Sequence, residues 1–183
     1  MVSEPSSILS QDVQNWWVDR MYLRDAFHVA KCSLDPSTQV GSVLVHANGG
    51  GIILGEYNAV PYRLRGAGYP VVESDKNYCT EHAERRTIFK ALRNGTATEG
   101  LTLYCTWASC SECARTLIDF GINRVVTFSA LIERTPIRWK DSVYHGLKMM
   151  RDCGISVVGW RGDLGINDYI LFDRQNIGNE DLK

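Results

Sequence analysis

The chain has 183 residues, enough for one domain with a sizeable hydrophobic core. Hydrophobic residues make up 44% and charged residues 22%, as in ordinary globular proteins, and the formal net charge is -1. This charge excludes a strong overall attraction to nucleic acid or to an anionic membrane, so a small-molecule partner is favoured over a polymer.

The spacing of apolar residues predicts, in chain order, alternating helices and strands behind a polar N-terminal segment. Residues 1–11 are predicted to form a flexible arm, and residues 12–183 a single domain. The predicted helices lie at residues 12–32, 80–94, 110–120 and 142–153. The predicted strands lie at residues 41–46, 51–57, 101–105, 124–128 and 155–159.

Strands that alternate with helices over short connections are typical of an α/β protein built as a three-layer α/β/α sandwich. We predict a mixed five-stranded sheet as the middle layer. Asn48 to Gly51 is rich in glycine and predicts a hairpin turn, and Ser10 or Asp12 is a candidate cap for the first helix. The long irregular segment 58–77 is expected to be a functional or interface loop. A short helix or an extended segment is expected near residues 168–172.

The six cysteines include a C-x-x-C pair, which favours metal binding over a disulfide framework in a chain of this length. Apolar runs stay well short of the roughly 20 residues that cross a bilayer. Residues 1–11 lack the basic and apolar regions of a signal peptide. We therefore expect a cytoplasmic protein.

Two motifs carry the chemistry: His82-Ala83-Glu84 and Cys110-Ser111-Glu112-Cys113. One imidazole and two thiolates would give a zinc ion three ligands and leave the fourth position for water. Two cysteines three residues apart at a helix start share a face, where the helix dipole stabilises thiolate. Zinc lowers the pKa of such a water, and Glu84 is close enough to His82 to move its protons. H-x-E followed by C-x-x-C is the signature of zinc deaminases.

A structural zinc site is the alternative interpretation of the same residues. Cys79 lies three residues before His82, so Cys79, His82, Cys110 and Cys113 could form a closed four-ligand site. Glu84 would then be an ordinary solvated helix residue. The two interpretations differ in the fourth ligand, which is water in one and Cys79 in the other.

Five segments between residues 21 and 159 follow the order of motifs in a known family. They read S-L-D-P-S-T-Q-V-G at 33–41, G-E-Y-N-A-V-P at 55–61, H-A-E-R at 82–85, T-W-A-S-C-S-E-C-A at 106–114 and G-I-N-R-V-V at 121–126. On these segments the chain resembles the cytidine deaminase superfamily, and most closely its deoxycytidylate deaminases. H-A-E together with C-x-x-C-A is the specific part of the resemblance.

The resemblance implies a cytidine deaminase-like fold in which His82, Cys110 and Cys113 bind Zn²⁺ and Glu84 moves protons. It also implies a homo-oligomer, commonly a hexamer. In some members of the family dCTP and dTTP act as effectors together with Mg²⁺.

Substrate contacts follow from the same resemblance. It implies that Asn58 contacts the sugar and that the backbone near Ala83 and Ser109 lines the base pocket. Trp107, three residues before Cys110, is a candidate wall of that pocket, with plain packing as the alternative. Ser109 stands where the family usually has proline, so this loop loses a fixed φ.

A phosphate on the substrate would require Arg or Lys. The candidates are Lys31, Arg63, Arg65 and Arg85; each one singly is more readily interpreted as a solvated surface charge, but at least one is expected to bind phosphate if the substrate is a nucleotide. Cys32 stands where an arginine is common in the family, which makes Lys31 the replacement to consider.

We therefore predict a zinc-dependent hydrolytic deaminase of a free pyrimidine nucleotide, with dCMP giving dUMP and ammonia as the expected reaction. The alternatives are another small substrate (a modified dCMP, dCTP, cytidine or a purine nucleotide), a base in RNA or single-stranded DNA, and a non-catalytic structural-zinc module. The net charge of -1 argues against the polymer, since such enzymes need a cationic groove.

Overall fold

A mixed five-stranded sheet organises the computed structural model, which describes residues 15–47, 49–69 and 76–183. The strand order is β2-β1-β3-β4-β5. The strands are β1 (Gly41–Val45), β2 (Ile52–Tyr57), β3 (Thr102–Cys105), β4 (Arg124–Phe128) and β5 (Ser156–Trp160). The prediction of the sheet is confirmed. The predicted arm at 1–11 and the candidate caps Ser10 and Asp12 lie outside the described residues.

Seven α-helices occur in the described parts of the chain. They are α1 (Trp16–Ala30), α2 (Tyr62–Gly66), α3 (Lys76–Cys79), α4 (Ala83–Arg93), α5 (Ser111–Asp119), α6 (Ser129–Glu133) and α7 (Ile137–Asp152). The short helices α2, α3 and α6 were not predicted. None of the helices in the described residues is long and apolar enough to cross a membrane.

The sheet is mixed because its connections differ. Strand β1 pairs antiparallel with both β2 and β3. Strands β3, β4 and β5 run parallel, since α5 and then α7 form the crossovers that a parallel pair requires. The carboxyl end of β3 therefore opens onto the start of α5.

Helices cover both faces of the sheet, so the three-layer prediction is confirmed. Along β1, Val43 and Val45 pack with α1 in one core, and Leu44 packs with α4, α5 and α7 in the other. This alternation is the period of two that a strand buried on both faces requires. Gly41 permits the close approach of α1, because a Cβ there would lie 2.3 Å from the carbonyl oxygen of Ala26.

Two boundaries differ from the sequence prediction. Helix α7 begins at Ile137 and not at Ser142, directly after Pro136, whose φ of -58° suits the start of a helix. The tail forms an antiparallel hairpin of β6 (Ile170–Phe172) and β7 (Gln175–Ile177), followed by a 3-10 helix at Asn179–Leu182. The extended alternative for the tail is thus the correct one.

Candidate active site

Two helix starts bring His82, Cys110 and Cys113 together. His82 is the extended residue that precedes α4, and Cys110 holds the same place before α5. Cys113 follows in the first turn of α5. The Nδ1 atom of His82 lies 3.5 Å from Sγ of Cys110 and 3.4 Å from Sγ of Cys113.

These separations fit a tetrahedral zinc ion. Zn–S bonds of about 2.3 Å and Zn–N bonds of about 2.0–2.1 Å hold sulfur and nitrogen about 3.6 Å apart at tetrahedral angles. The three ligand atoms all lie within 4.8 Å of one another. The donor set of one imidazole and two thiols is also the one that zinc prefers.

The loop that presents Cys110 is held by α7. Gly146 of α7 packs directly against it, since a Cβ at this position would lie 2.4 Å from the carbonyl oxygen of Ser109 and 2.8 Å from the carbonyl carbon of Cys110. The Ser142 hydroxyl accepts a hydrogen bond of 3.2 Å from the backbone N–H of Ser111. These contacts fix the loop at the place where the family usually has a proline.

Cys79 does not join the cluster. The metal-binding group found among the described residues consists of His82, Cys110 and Cys113. Cys79 is buried at the end of α3, outside this group. This placement argues against the closed four-ligand site.

A cavity of about 220 Å³ opens beside the three metal-binding side chains. Glu84 lines it and is only 4% exposed. Burial raises the pKa of the Glu84 carboxyl, while His82 and the Ser109 hydroxyl act to lower it. Glu84 is therefore a carboxyl shielded from bulk water, and the alternative prediction of an ordinary solvated helix residue is wrong.

The three ligands share protons in the absence of metal. The hydrogen bond with Cys113 is the main cause that lowers the pKa of Cys110 to about 3. Burial lowers the pKa of His82, but Cys110, Glu84 and Glu81 together outweigh it and raise the pKa to about 9. The pKa of Cys113 is raised, mainly by its hydrogen bond with Cys110. The site thus already contains one stable thiolate for a cation.

Aromatic rings form one wall of the cavity. Trp107 lies there as the sequence suggested, with its indole N–H donating to the Thr135 hydroxyl at 3.1 Å. Trp139, at the start of α7, was missed; its ring centroid lies 5.8 Å from that of His82 and 6.1 Å from that of Trp107. Pro136, directly before the first helical residue, was the available signal for this helix start.

The other predicted pocket residues are placed as follows. Asn58 and Ala83 line the cavity. The Asn58 carboxamide accepts from the N–H of Val40 at 2.8 Å and donates to the carbonyl of Thr38 at 2.9 Å, so it also fixes the neighbouring backbone. Ser109 is buried but is not among the residues that line the cavity.

The cations around the cavity differ from those expected. Lys31 is paired with Asp168, and Arg85 is paired with Glu81 and Glu112. These two residues, and Arg63 and Arg65 of α2, are not among the residues that line the cavity. The lining cations are Lys76, Arg138 and Arg174, which sequence reasoning missed.

Comparison with known proteins agrees with the resemblance that the motifs of the sequence indicate. Residues 17–129 match the family model described as the cytidine and deoxycytidylate deaminase zinc-binding region. A probable deoxycytidylate deaminase of Drosophila melanogaster is 29% identical over 136 residues, which cover 68% of this chain and 64% of that protein, so the chain matches just under two thirds of that relative. The deoxycytidylate deaminase of Pongo abelii is 29% identical over 134 residues, 70% of this chain and 72% of that protein.

A solved structure shares the fold. The dCMP deaminase of cyanophage S-TIM5, in complex with dCMP and dUMP, superposes with a TM-score of 0.63 at 20% identity, covering 78% of this chain and 96% of that one.

Proposed function

Because the chain belongs to the cytidine and deoxycytidylate deaminase zinc-binding family, we propose that it hydrolyses the exocyclic amino group of a free pyrimidine nucleotide, converting dCMP to dUMP and ammonia. One observation carries the proposal. The buried carboxyl of Glu84 shares a cavity with a His–Cys–Cys cluster of zinc-binding dimensions.

The cluster and the acid would divide the chemistry between them. His82, Cys110 and Cys113 would hold a zinc ion, which would supply the Lewis acidity that lowers the pKa of water. Glu84 would take one proton from that water and deliver it to the ring nitrogen while the water oxygen bonds to the carbon that carries the amino group. Glu84 would then take the second proton from the same oxygen and give it to the amino group, so that the C–N bond breaks, the C=O bond forms and ammonia leaves. The raised pKa of its carboxyl suits a group that both accepts and donates a proton.

The remaining walls suit a single flat base. Trp107 and Trp139 meet edge to face at 86°, and Ala83 and Val40 also line the cavity. Aromatic walls exclude water from the reacting groups and stack on any nucleobase. Asn58 also lines the cavity, and the resemblance assigns it to the sugar.

A substrate panel tests the proposal. Ammonia release should be measured with dCMP, deoxycytidine, dCTP, a 5-substituted dCMP and a purine monophosphate at equal concentration. We expect the highest kcat/KM with dCMP. A preference for a purine, or release of ammonia from none of them by zinc-loaded protein, would contradict it.

Several broader features belong to the same proposal. We infer a single deaminase domain over residues 12–183 with an arm at 1–11, and a cytoplasmic location in which six free cysteines are stable.

We also infer a homo-oligomer, with a hexamer as the expected form. The exposed Tyr62, Phe89 and Leu92 on α2 and α4 support an interface there. Binding of dCTP or dTTP as effectors, together with Mg²⁺, is proposed by resemblance alone. Light scattering with and without these nucleotides tests the oligomeric state and its response to the effectors.

A further inference from the structure

We propose that Phe172 and Thr135 are positioning residues that hold the indole ring of Trp107 in one orientation, and that this orientation sets the affinity of the cavity for its base. The inference rests on the proposed function and adds to it the contacts that keep the cavity wall in place. Neither positioning residue is among the residues that line the cavity, and neither lies in the five segments on which the resemblance rests. Both therefore act on a substrate through Trp107.

Trp107 depends on such supports because it lies at the edge of the cavity. The side chain lines the cavity and is only partly buried. A side chain that borders a cavity has packing partners on one side only. Its orientation must therefore come from a few specific contacts on the packed side.

Phe172 supplies the ring contact. Its centroid lies 5.0 Å from that of Trp107, and the two planes meet at 86°. This edge-to-face arrangement is a favoured geometry for an aromatic pair, and rotation of either ring would lose it. Phe172 is itself only 3% exposed and belongs to the same buried cluster as Ile170 and Ile177 of the C-terminal hairpin. It therefore gives Trp107 a fixed surface to pack against.

Hydrogen bonds of Gln39 fix the hairpin that carries Phe172. The N–H of Gln39 donates to the carbonyl of Leu171 at 2.7 Å, and its carboxamide oxygen accepts from the N–H of Leu171 at 2.9 Å. The carboxamide nitrogen donates to the carbonyl of Ser33 at 2.8 Å. Both chain neighbours of Gln39 line the cavity. The hairpin is thus attached to a segment that forms another part of the cavity wall.

Thr135 supplies the polar contact. Its hydroxyl accepts from the indole N–H of Trp107 at 3.1 Å and donates to the carbonyl of Leu131 at 3.3 Å. The bond to Leu131 uses the single hydroxyl proton, so the lone pairs of the oxygen are left for the indole. Because the N–H of Trp107 is used in this bond, Trp107 offers a substrate its ring surface and not a hydrogen bond.

The orientation of Trp107 also affects the ring beside the metal-binding residues. Trp107 meets Trp139 edge to face, and Trp139 in turn contacts the ring of His82. Loss of a support of Trp107 would let both indoles turn, and a base would then bind with fewer ring contacts. The contacts that hold the Cys110 loop come from α7 instead. Binding should therefore suffer more than the chemical step.

The test pairs each positioning variant with a control of the same kind. Phe172→Leu is compared with Phe128→Leu, because Phe128 is also buried and meets a tryptophan, Trp160, away from the cavity. Thr135→Val is compared with Thr98→Val, which loses a hydrogen bond to a backbone carbonyl outside the cavity. Zinc content, thermal stability, kcat and KM for dCMP, and the affinity for dUMP by calorimetry are measured for each protein.

Fluorine NMR follows the ring itself without any turnover. The chain has five tryptophans, so protein labelled with 5-fluorotryptophan should give five resonances. The resonance that is absent from Trp107→Leu belongs to Trp107. We expect it to shift or broaden in Phe172→Leu and Thr135→Val and to keep its position in both controls.

We expect Phe172→Leu and Thr135→Val to raise KM for dCMP and to weaken dUMP binding by about 2- to 10-fold, as for a lost aromatic contact or hydrogen bond. The kcat should stay within about twofold of the parent, with zinc retained. The controls should lose thermal stability without a rise in KM. In a Trp107→Leu background, either positioning change should alter dUMP affinity less than about twofold, because the ring through which it acts is gone.

Unchanged KM and dUMP affinity in both variants, or an equal loss of affinity in the Trp107→Leu background, would overturn the proposal. A Trp107 resonance that keeps its position in both variants would overturn it as well. If the zinc-loaded parent releases no ammonia from dCMP, the proposed function fails, and the Trp107 resonance still decides whether Phe172 and Thr135 hold the ring.

Discussion

The Nδ1 atom of His82 lies 3.5 Å from Sγ of Cys110, although the two residues are 28 positions apart and precede different helices. Their approach depends on the packing of α4, α5 and α7 on one face of the sheet. Metal affinity should therefore respond to changes in packing as well as to changes in the ligands.

Gly146→Ala tests this dependence. The new Cβ would lie 2.4 Å from the backbone oxygen of Ser109, so α7 or the Cys110 loop must move. We expect a loss of about 1–3 kcal/mol in the free energy of unfolding. Zinc affinity should fall about 10-fold or more, because the loop that carries Cys110 loses its contact with α7. Urea unfolding and competition with a chromogenic chelator measure the two effects.

Gly66→Ala is the matched control for that substitution. Gly66 has open space where a Cβ would be placed, so its variant should stay within about 0.5 kcal/mol of the parent and keep its zinc. If Gly146→Ala behaves like Gly66→Ala, α7 does not support the Cys110 loop.

Substitution of the cysteines separates the two possible zinc sites. Cys110→Ser and Cys113→Ser should each lose most of the bound zinc, because each removes one of three ligands. Cys79→Ser should keep about one zinc per chain, because Cys79 is outside the group of three. Metal analysis after gel filtration measures the content. Loss of zinc from Cys79→Ser with retention in Cys113→Ser would restore the four-ligand structural site.

In the metal-free protein, Cys110 should stay ionised at pH values far below those at which a cysteine ordinarily loses its proton. The pKa of Cys110 is about 3 in the folded chain, against an ordinary value of 9.0, chiefly because of its hydrogen bond with Cys113. The ionised form should therefore persist at neutral pH and disappear as the pH falls through about 3. By linkage, its contribution to stability is complete above about pH 9 and is lost as the pH falls toward 3.

Ultraviolet absorption of the thiolate in metal-free protein follows this titration, with Cys110→Ser as the blank. Cys110→Ser should lack the low-pH transition. A parent thiolate that forms only near the ordinary pKa of cysteine would contradict the electrostatic description of the site.

Sequence reasoning found the candidate metal ligands and Glu84 because local spacing and a family resemblance both point to them. His82 and Glu84 lie two residues apart at one helix start, and Cys110 and Cys113 share a turn at the next. The sheet followed from runs of apolar residues. Each of these patterns depends on neighbours within a few positions, which is the range that periodicity reports.

The outer end of the cavity could not be found in that way. Arg138 lies outside the predicted elements because α7 was predicted from Ser142, and Arg174 lies in a hairpin turn that lacks the usual Asn-Gly signal. Lys31 was instead chosen by its position next to a family motif, but its ammonium is paired with Asp168, 137 positions away. Such partners are set by tertiary packing, which single-sequence patterns do not report.

The role of Glu84 as the proton carrier is the centre of this account, and one substitution tests it. Zinc content and ammonia release from dCMP should be measured on the same preparation of the parent and of Glu84→Gln, which keeps the size of the buried side chain. We expect about one zinc per chain in both proteins and a loss of about 10²- to 10⁴-fold in kcat for the variant. Turnover by Glu84→Gln at the rate of the parent, with zinc retained, would contradict the account.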